Sequence, residues 1–340
     1  MVTLYPLIFK PIYKAKVWGG SRFATLLNRN VPPGAHMGES WEVADRHDDV
    51  SIIADGDLAG MSLAELRQRY PRELFGEMAD ECRDTFPLLL KFIDAEEPLS
   101  LQVHPDTRFA QRYENDLGKS EAWYIMEAAP GARITRGFRA GTTPEKVLRA
   151  IDQKRIEQIT TSFEVQKGDA VFIPAGTPHA IGGGMMLLEI QQNSDVTYRL
   201  HDYDRTDARG QKRPLHIDKA LQALSFRDIG PPKLKPVKVE PLHYRLVVCN
   251  HFSFYVYDYR EPIHEYSLNR FRILCNVEGH GTIISPEGMF EDIDYHPGTT
   301  VLFPASVTDF SLVPATRCVT LDIIPGKMLM KKRRGPATII

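Results

Sequence analysis

The chain lacks most of what would place it outside the cell, in a membrane or on nucleic acid. Among 340 residues there are four cysteines, Cys82, Cys249, Cys275 and Cys318, widely spaced and without a CxxC pair. That spacing excludes a dense disulfide framework and a cysteine-only zinc site, and fits reduced, buried thiols. No run approaches the ~20 apolar residues of a membrane helix. The opening MVTLYPLIFKPIYKAKVWGG lacks an apolar core followed by a small-residue cleavage site, which argues against a secretory signal. The formal net charge is −2, so no broad basic field favours nucleic acid. The one basic cluster, Lys331-Lys332-Arg333-Arg334, reads as a solvated tail. No GxxxxGK[ST] loop and no GxGxxG after a strand occurs, which disfavours a nucleotide cradle. A cytoplasmic enzyme or binding protein without membrane or nucleic-acid partners is expected.

What is present is β-sheet. Short apolar runs recur between Gly, Pro and Asp turns: PLLLKFIDA, EAWYIMEAA, DAVFIPAG, MMLLEIQQ, FSFYVYDY, FRILCNV and TTVLFPAS. Many short strands with regular turn signals predict a sandwich or barrel. Helices are fewer. Ser62 to Cys82 opens on a capping box, Ser62 with Glu65, and Pro71 is expected to split it. Thr142 to Ile159 reads as a second helical segment with Pro144 in its first turn. Asp228 to Tyr244 carries four prolines and reads as an extended linker. The chain therefore divides into residues 1–235 and 236–340. A faint repeat supports two related β domains. Gly168 matches Gly298, Pro174-Ala175 matches Pro304-Ala305, and His179 aligns with Asp309.

The chemistry begins at EPLSLQVHPD. Read with a two-residue period, Leu99, Leu101 and Val103 share one face, and Ser100, Gln102 and His104 the other. Gln102 and His104 can point two donors at one ion. Glu121 in GKSEAWYIME and His179 in PAGTPHAIG sit on other strand-like runs, and inward positions of a small barrel converge. Two imidazoles, one carboxylate and one amide oxygen suit zinc and several other divalent metals. Each residue alone is as well explained by a structural hydrogen bond. Glu189 inside MMLLEIQQ and Lys91 inside PLLLKFIDA are charges on buried strands, costly unless paired or used. Arg199 and Arg205 follow in SDVTYRLHDYDR. A base, cations and a Lewis acid together can move a proton beside a carbonyl and hold an anionic group.

These stretches carry a resemblance. WGG at Trp18 to Gly20, GESWEVADR, LLLKFIDAEEPLSLQVHPD, GKSEAWYIME, VFIPAGTPHAI and LEIQQNSDVTYRLHDYDR together resemble the type I mannose-6-phosphate isomerases of the short bacterial kind, in the cupin superfamily. The resemblance implies two cupin-type jelly-roll barrels, the second without metal ligands, and one zinc ion per chain. It implies interconversion of mannose 6-phosphate and fructose 6-phosphate through a cis-enediolate. It places Gln102, His104, Glu121 and His179 as ligands, and Arg199 and Glu189 as catalytic residues. Lys91, Lys119 and Ser100 fall in the substrate pocket, Arg205 near the phosphate, and Trp18 against the sugar. The partner is a small phosphosugar, and the chain a monomer or homodimer. The short form lacks the inserted helical domain of longer relatives, so loops near 135–143 and 201–214 are candidate lids, with Lys212 and Arg213 read as solvated loop charges. Another metal cupin acting on a different phosphosugar, an iron oxygenase, or a non-catalytic sugar-binding cupin are the competing readings.

Overall fold

The computed structural model describes residues 4–32, 34–47, 49–206 and 210–326, so the basic run at Lys331 lies outside the described residues. Each half is a sandwich of two antiparallel sheets. In the first half a six-stranded sheet runs in the order Ile12–Gly20, Met37–Val43, Leu88–Ala95, Met185–Gln192, Glu121–Ala128, Ala170–Ile173. A five-stranded sheet covers it: Tyr198–His201, Leu101–Val103, His179–Ile181, Arg133–Phe138, Thr160–Glu164. In the second half six strands (Val237–Glu240, His243–Val248, Phe252–Tyr259, Cys318–Pro325, Arg272–Glu278, Thr300–Phe303) pack on four (Ile263–Tyr266, Asp309–Pro314, Gly281–Ile284, Ile293–Tyr295). The fold is mainly β, and hydrogen bonding divides each expected barrel into two sheets. No helix among the described residues is long and apolar enough to cross a membrane.

The large first sheet is buried on both faces, which is why its strands read as continuous apolar runs. Leu88, Leu90 and Phe92 join Leu188 and Ile190 in a core shared with Phe252, Phe271, Ile273 and Leu321 of the second half. Ile93, Trp123, Ile125 and Leu187 face inward, into the sandwich, with Ile134 and Ile181. The halves are bonded as well as packed. Leu7 and Leu302 exchange two backbone hydrogen bonds of 2.8 Å. Arg29 ties Glu42 at 2.7 Å to the Gly298 carbonyl at 2.7 Å.

Several expectations change in detail. The strand carrying Gln102 begins only at Leu101. Pro98 has no N–H for a ladder, and Leu99 makes a single backbone bond to Ile181. Leu99 therefore packs with Trp18 and Trp123, whereas Leu101 and Val103 pack with Val147 and Tyr198; the three do not share a face. The Ser62–Glu65 capping box forms, and Pro71 opens a separate helix, Pro71–Phe75. The second helical segment is shorter than read, Pro144–Asp152, because Lys154 takes a left-handed φ of 54° before a 3-10 turn. The extended stretch ends at Val237, where a hairpin begins.

The repeat is structural. Gly168 and Gly298 both hold φ of +90°, a turn that disfavours any side chain. Each precedes the edge strand of a six-stranded sheet, and His179 and Asp309 each open a strand of the smaller sheet.

Phe271 stacks against Phe86 at 4.8 Å and Phe75 at 5.8 Å, joining the halves. Phe271→Ala is expected to cost about 3–5 kcal/mol and to lower one unfolding transition seen by calorimetry. Two separated transitions, only one of them shifted, would show that the halves unfold independently.

Candidate active site

Three of the four expected ligands form one buried cluster. His104, Glu121 and His179 offer atoms that all lie within 4.8 Å of one another. Glu121 opens its strand with its side chain inside the sandwich, and is fully buried. His104 Nε2 is 3.3 Å from Glu121 Oε1, and His179 Nε2 is 3.5 Å from Oε2. Gln102 and His179 are direct neighbours across the small sheet; the Gln102 amide nitrogen lies 3.4 Å from His179 Nε2, and its oxygen accepts from the Ser100 hydroxyl at 3.4 Å. The other imidazole nitrogens are committed. His104 Nδ1 bonds the Val196 carbonyl at 2.7 Å, and His179 Nδ1 the Thr177 carbonyl at 2.9 Å. Both rings thus donate from Nδ1 and turn an Nε2 lone pair toward Glu121, the orientation a metal ligand requires; Lys119 Nζ lies 3.3 Å from that of His104 and the Gln102 amide nitrogen 3.4 Å from that of His179.

The electrostatics agree with that geometry. Burial pushes both histidines down, His104 to about 4 with help from the Lys119 ammonium, so both are neutral imidazoles. Burial opposes the Glu121 charge, but the Lys119 ammonium holds its carboxyl well below the ordinary range. Lys119 Nζ lies 2.6 Å from Glu121 Oε1, yet neither buried oxygen has a hydrogen bond of good geometry. A buried carboxylate with two unsatisfied oxygens facing two imidazole lone pairs fits a divalent cation.

Beside the cluster opens a cavity of about 300 Å³. Of the residues singled out by sequence, Trp18, Lys91, Ser100, Gln102, Lys119, Glu189 and Arg199 line it. Strand register explains Glu189: it faces Lys91 on one side and Trp123 on the other. The Trp123 indole donates to Glu189 Oε2 at 2.7 Å, and Lys91 Nζ lies 3.3 Å from Oε1, which has no hydrogen bond. Burial first, and then the Glu121 charge, raise the Glu189 carboxyl, with Lys91 opposing.

Arg205 does not line the cavity; it pairs with Asp202 at 3.2 Å. Arg213, read as a solvated loop charge, does line it, while bonding Asp202 at 2.8 Å. Lys212 is a surface charge paired with Asp204. The loop near 135–143 lines a different cavity. Sequence reasoning also missed Lys16, Glu39, Asp195, Thr197 and His216, all of which line this one. The signal for Glu39 was visible: in GESWEV it is a carboxylate on a buried strand. Burial opposes its charge, but Lys91, Lys16 and the Trp41 N–H lower it to about 2. Arg199 Nε is buried without a partner, and burial and then Arg213 lower its guanidinium.

A depressed carboxyl stabilises the fold fully above its unfolded value and loses that contribution as pH falls through the folded one. For Glu39 the window runs from 4.5 down to about 2. Glu39→Gln is expected to cost about 2–4 kcal/mol in urea at pH 7, because Lys91 loses a buried counter-ion. The gap from wild type should narrow at pH 3. A gap that stays constant between the two pH values would contradict this assignment.

A family model, phosphomannose isomerase type I, catalytic domain, matches residues 7–128. Mannose-6-phosphate isomerase ManA of Bacillus subtilis is 35% identical over 323 residues, covering 94% of this chain and 99% of the relative. The mannose-6-phosphate isomerase of Streptococcus mutans is 39% identical over 227 residues, 67% of this chain and 69% of the relative. The crystal structure of mannose 6-phosphate isomerase from B. subtilis superposes with a TM-score of 0.85 at 30% identity, covering 94% of this chain and 99% of that one.

Proposed function

The chain belongs to the type I phosphomannose isomerase family, and on that premise we propose that it interconverts D-mannose 6-phosphate and D-fructose 6-phosphate with a divalent metal, zinc by the chemistry of its donors. The observation that carries the reading is one juxtaposition. A buried His–Glu–His cluster, its carboxylate oxygens unsatisfied and two imidazole lone pairs turned toward them, lies beside a cavity holding a buried carboxylate. We assign this chemistry to residues 1–235.

His104, Glu121 and His179, with the Gln102 amide oxygen, would hold the ion. Bound there, it would act as a Lewis acid toward the oxygens of the open-chain sugar and would lower the barrier to removing the C2 proton. The protein supplies the rest. Glu189 is the base: Trp123 fixes one oxygen and leaves the other turned toward Lys91. A carboxyl raised by burial is better matched to carbon-bound protons than an exposed one. It takes the proton from C2 and returns it at C1 on the same face, through a cis-enediolate. Lys91, between Glu39 and Glu189, steadies the base as its charge changes. The phosphate belongs with Arg199 and Ser100, and with Arg213 in the place expected for Arg205. Two guanidinium groups in each other's field are relieved by a dianion between them. Trp18 forms the wall against which the sugar lies.

His104→Ala is expected to lose bound metal and activity while the circular dichroism spectrum stays native, since the sandwich core lies elsewhere. Retention of one ion per chain would remove His104 from the ligand set. Glu189→Gln should lower kcat by about 10²–10⁴-fold with metal content unchanged. Substrate deuterated at C2 tests for proton transfer: loss of label to solvent is expected from an exchanging carboxylate base and would exclude a pure hydride shift, which carries all of it into the product.

A further inference from the structure

A second cavity, about 490 Å³, lies between the end of the Arg133–Phe138 strand and the 225–232 segment, and shares no lining residue with the catalytic one of about 300 Å³. Its charge is unbalanced. Arg136 is only 6% exposed, and its guanidinium bonds go to the backbone carbonyls of Phe172, Ile229, Gly230 and Pro231. Among the described residues no carboxylate pairs with it, and burial holds it down to about 10. Arg139 and Arg227 line the same cavity and form no ion pair among the described residues, and Asp228 is the one acid in the lining. Thr177, 2% exposed, presents a buried hydroxyl without a hydrogen-bond partner. Phe138 and Phe226 stack at 5.3 Å and 12°, forming a flat apolar side.

We propose that this cavity is a second, non-catalytic site for a phosphorylated small molecule that carries a flat ring and is larger than a hexose phosphate. The volume exceeds that of the cavity assigned to the hexose phosphate. Arg139 and Arg227 supply planar, permanently charged donors for the phosphate, and the buried Arg136 adds attraction without needing contact. The Phe138–Phe226 stack offers the ring an apolar surface. Absence of a glycine-rich cradle is no obstacle, because side-chain cations rather than backbone N–H groups meet the phosphate.

The test uses ADP as the probe, titrated calorimetrically into the metal-loaded full-length enzyme without free divalent metal. Saturable binding near one ADP per chain is expected. The double variant Arg139→Ala/Arg227→Ala should weaken it at least about tenfold, as loss of charged hydrogen bonds predicts. The same double variant should keep wild-type isomerase activity. Arg199→Ala, which disables the catalytic pocket, should leave ADP binding intact. No saturable binding at about ten millimolar ADP would overturn the proposal. So would binding that Arg199→Ala abolishes and the double variant spares, since the ADP would then occupy the catalytic pocket.

Discussion

The Glu121 carboxylate sits inside the first sandwich with no exposure to solvent, and its charge has to be balanced from within the protein. An isolated buried carboxylate would neutralise itself by taking up a proton. Here the Lys119 ammonium, two residues before it, keeps it ionised. That requirement fixes much else. The facing strands must bring His179 and Gln102 side by side, and both histidines must donate from Nδ1 to carbonyls so that the other nitrogen turns its lone pair toward Glu121.

The same logic runs through the cavity as an alternating series of charges. Lys16 lies 3.3 Å from Glu39, Glu39 lies 3.9 Å from Lys91, and Lys91 lies 3.3 Å from Glu189. Glu39, Lys91 and Glu189 are buried, and each would be costly alone; together the charges lower Glu39 and raise Lys91 while leaving Glu189 high. Glu189 differs because the nearby Glu121 charge opposes its own. Two carboxylates in one site are pushed apart in proton affinity, one fit to hold a cation and the other to carry a proton. The division of labour proposed for Glu121 and Glu189 thus follows from their proximity.

Much of this was legible in the sequence, since a charge on an apolar strand announces itself one residue at a time. Lys91 and Glu189 were found that way, Gln102 and His104 by their two-residue spacing, and Glu121 and His179 as donors on other strand-like runs. Lys16, Asp195 and His216 were not, because nothing local marks them; strand pairing alone brings them to one cavity. Arg205 and Arg213 illustrate the limit. Both sit in a polar loop, both reach Asp202, and the path of that loop decides which also faces the cavity. The Leu99 face failed for a different reason. Period-two alternation assumes an unbroken strand, and Pro98 delays the strand until Leu101.

The second sandwich shows what the same framework does without an exchangeable ion. Edge-strand register sets Ile173 opposite Glu121 and Phe303 opposite Arg272, so Arg272 stands where Glu121 does. Trp123 faces Glu189 as Leu274 faces Asp322, so Asp322 stands where Glu189 does. Arg272 and Asp322 are bonded at 2.6 Å, and Glu265 and the Tyr257 hydroxyl close the remaining guanidinium donors. The position that in the first half gathers donors around a carboxylate is here filled by a covalently attached cation. A guanidinium needs no loading and offers no open coordination position to a substrate. The two halves treat the same central position of a β-sandwich differently: the second fills it with a fixed positive charge, and the first, on the proposed reading, leaves donors there for an ion.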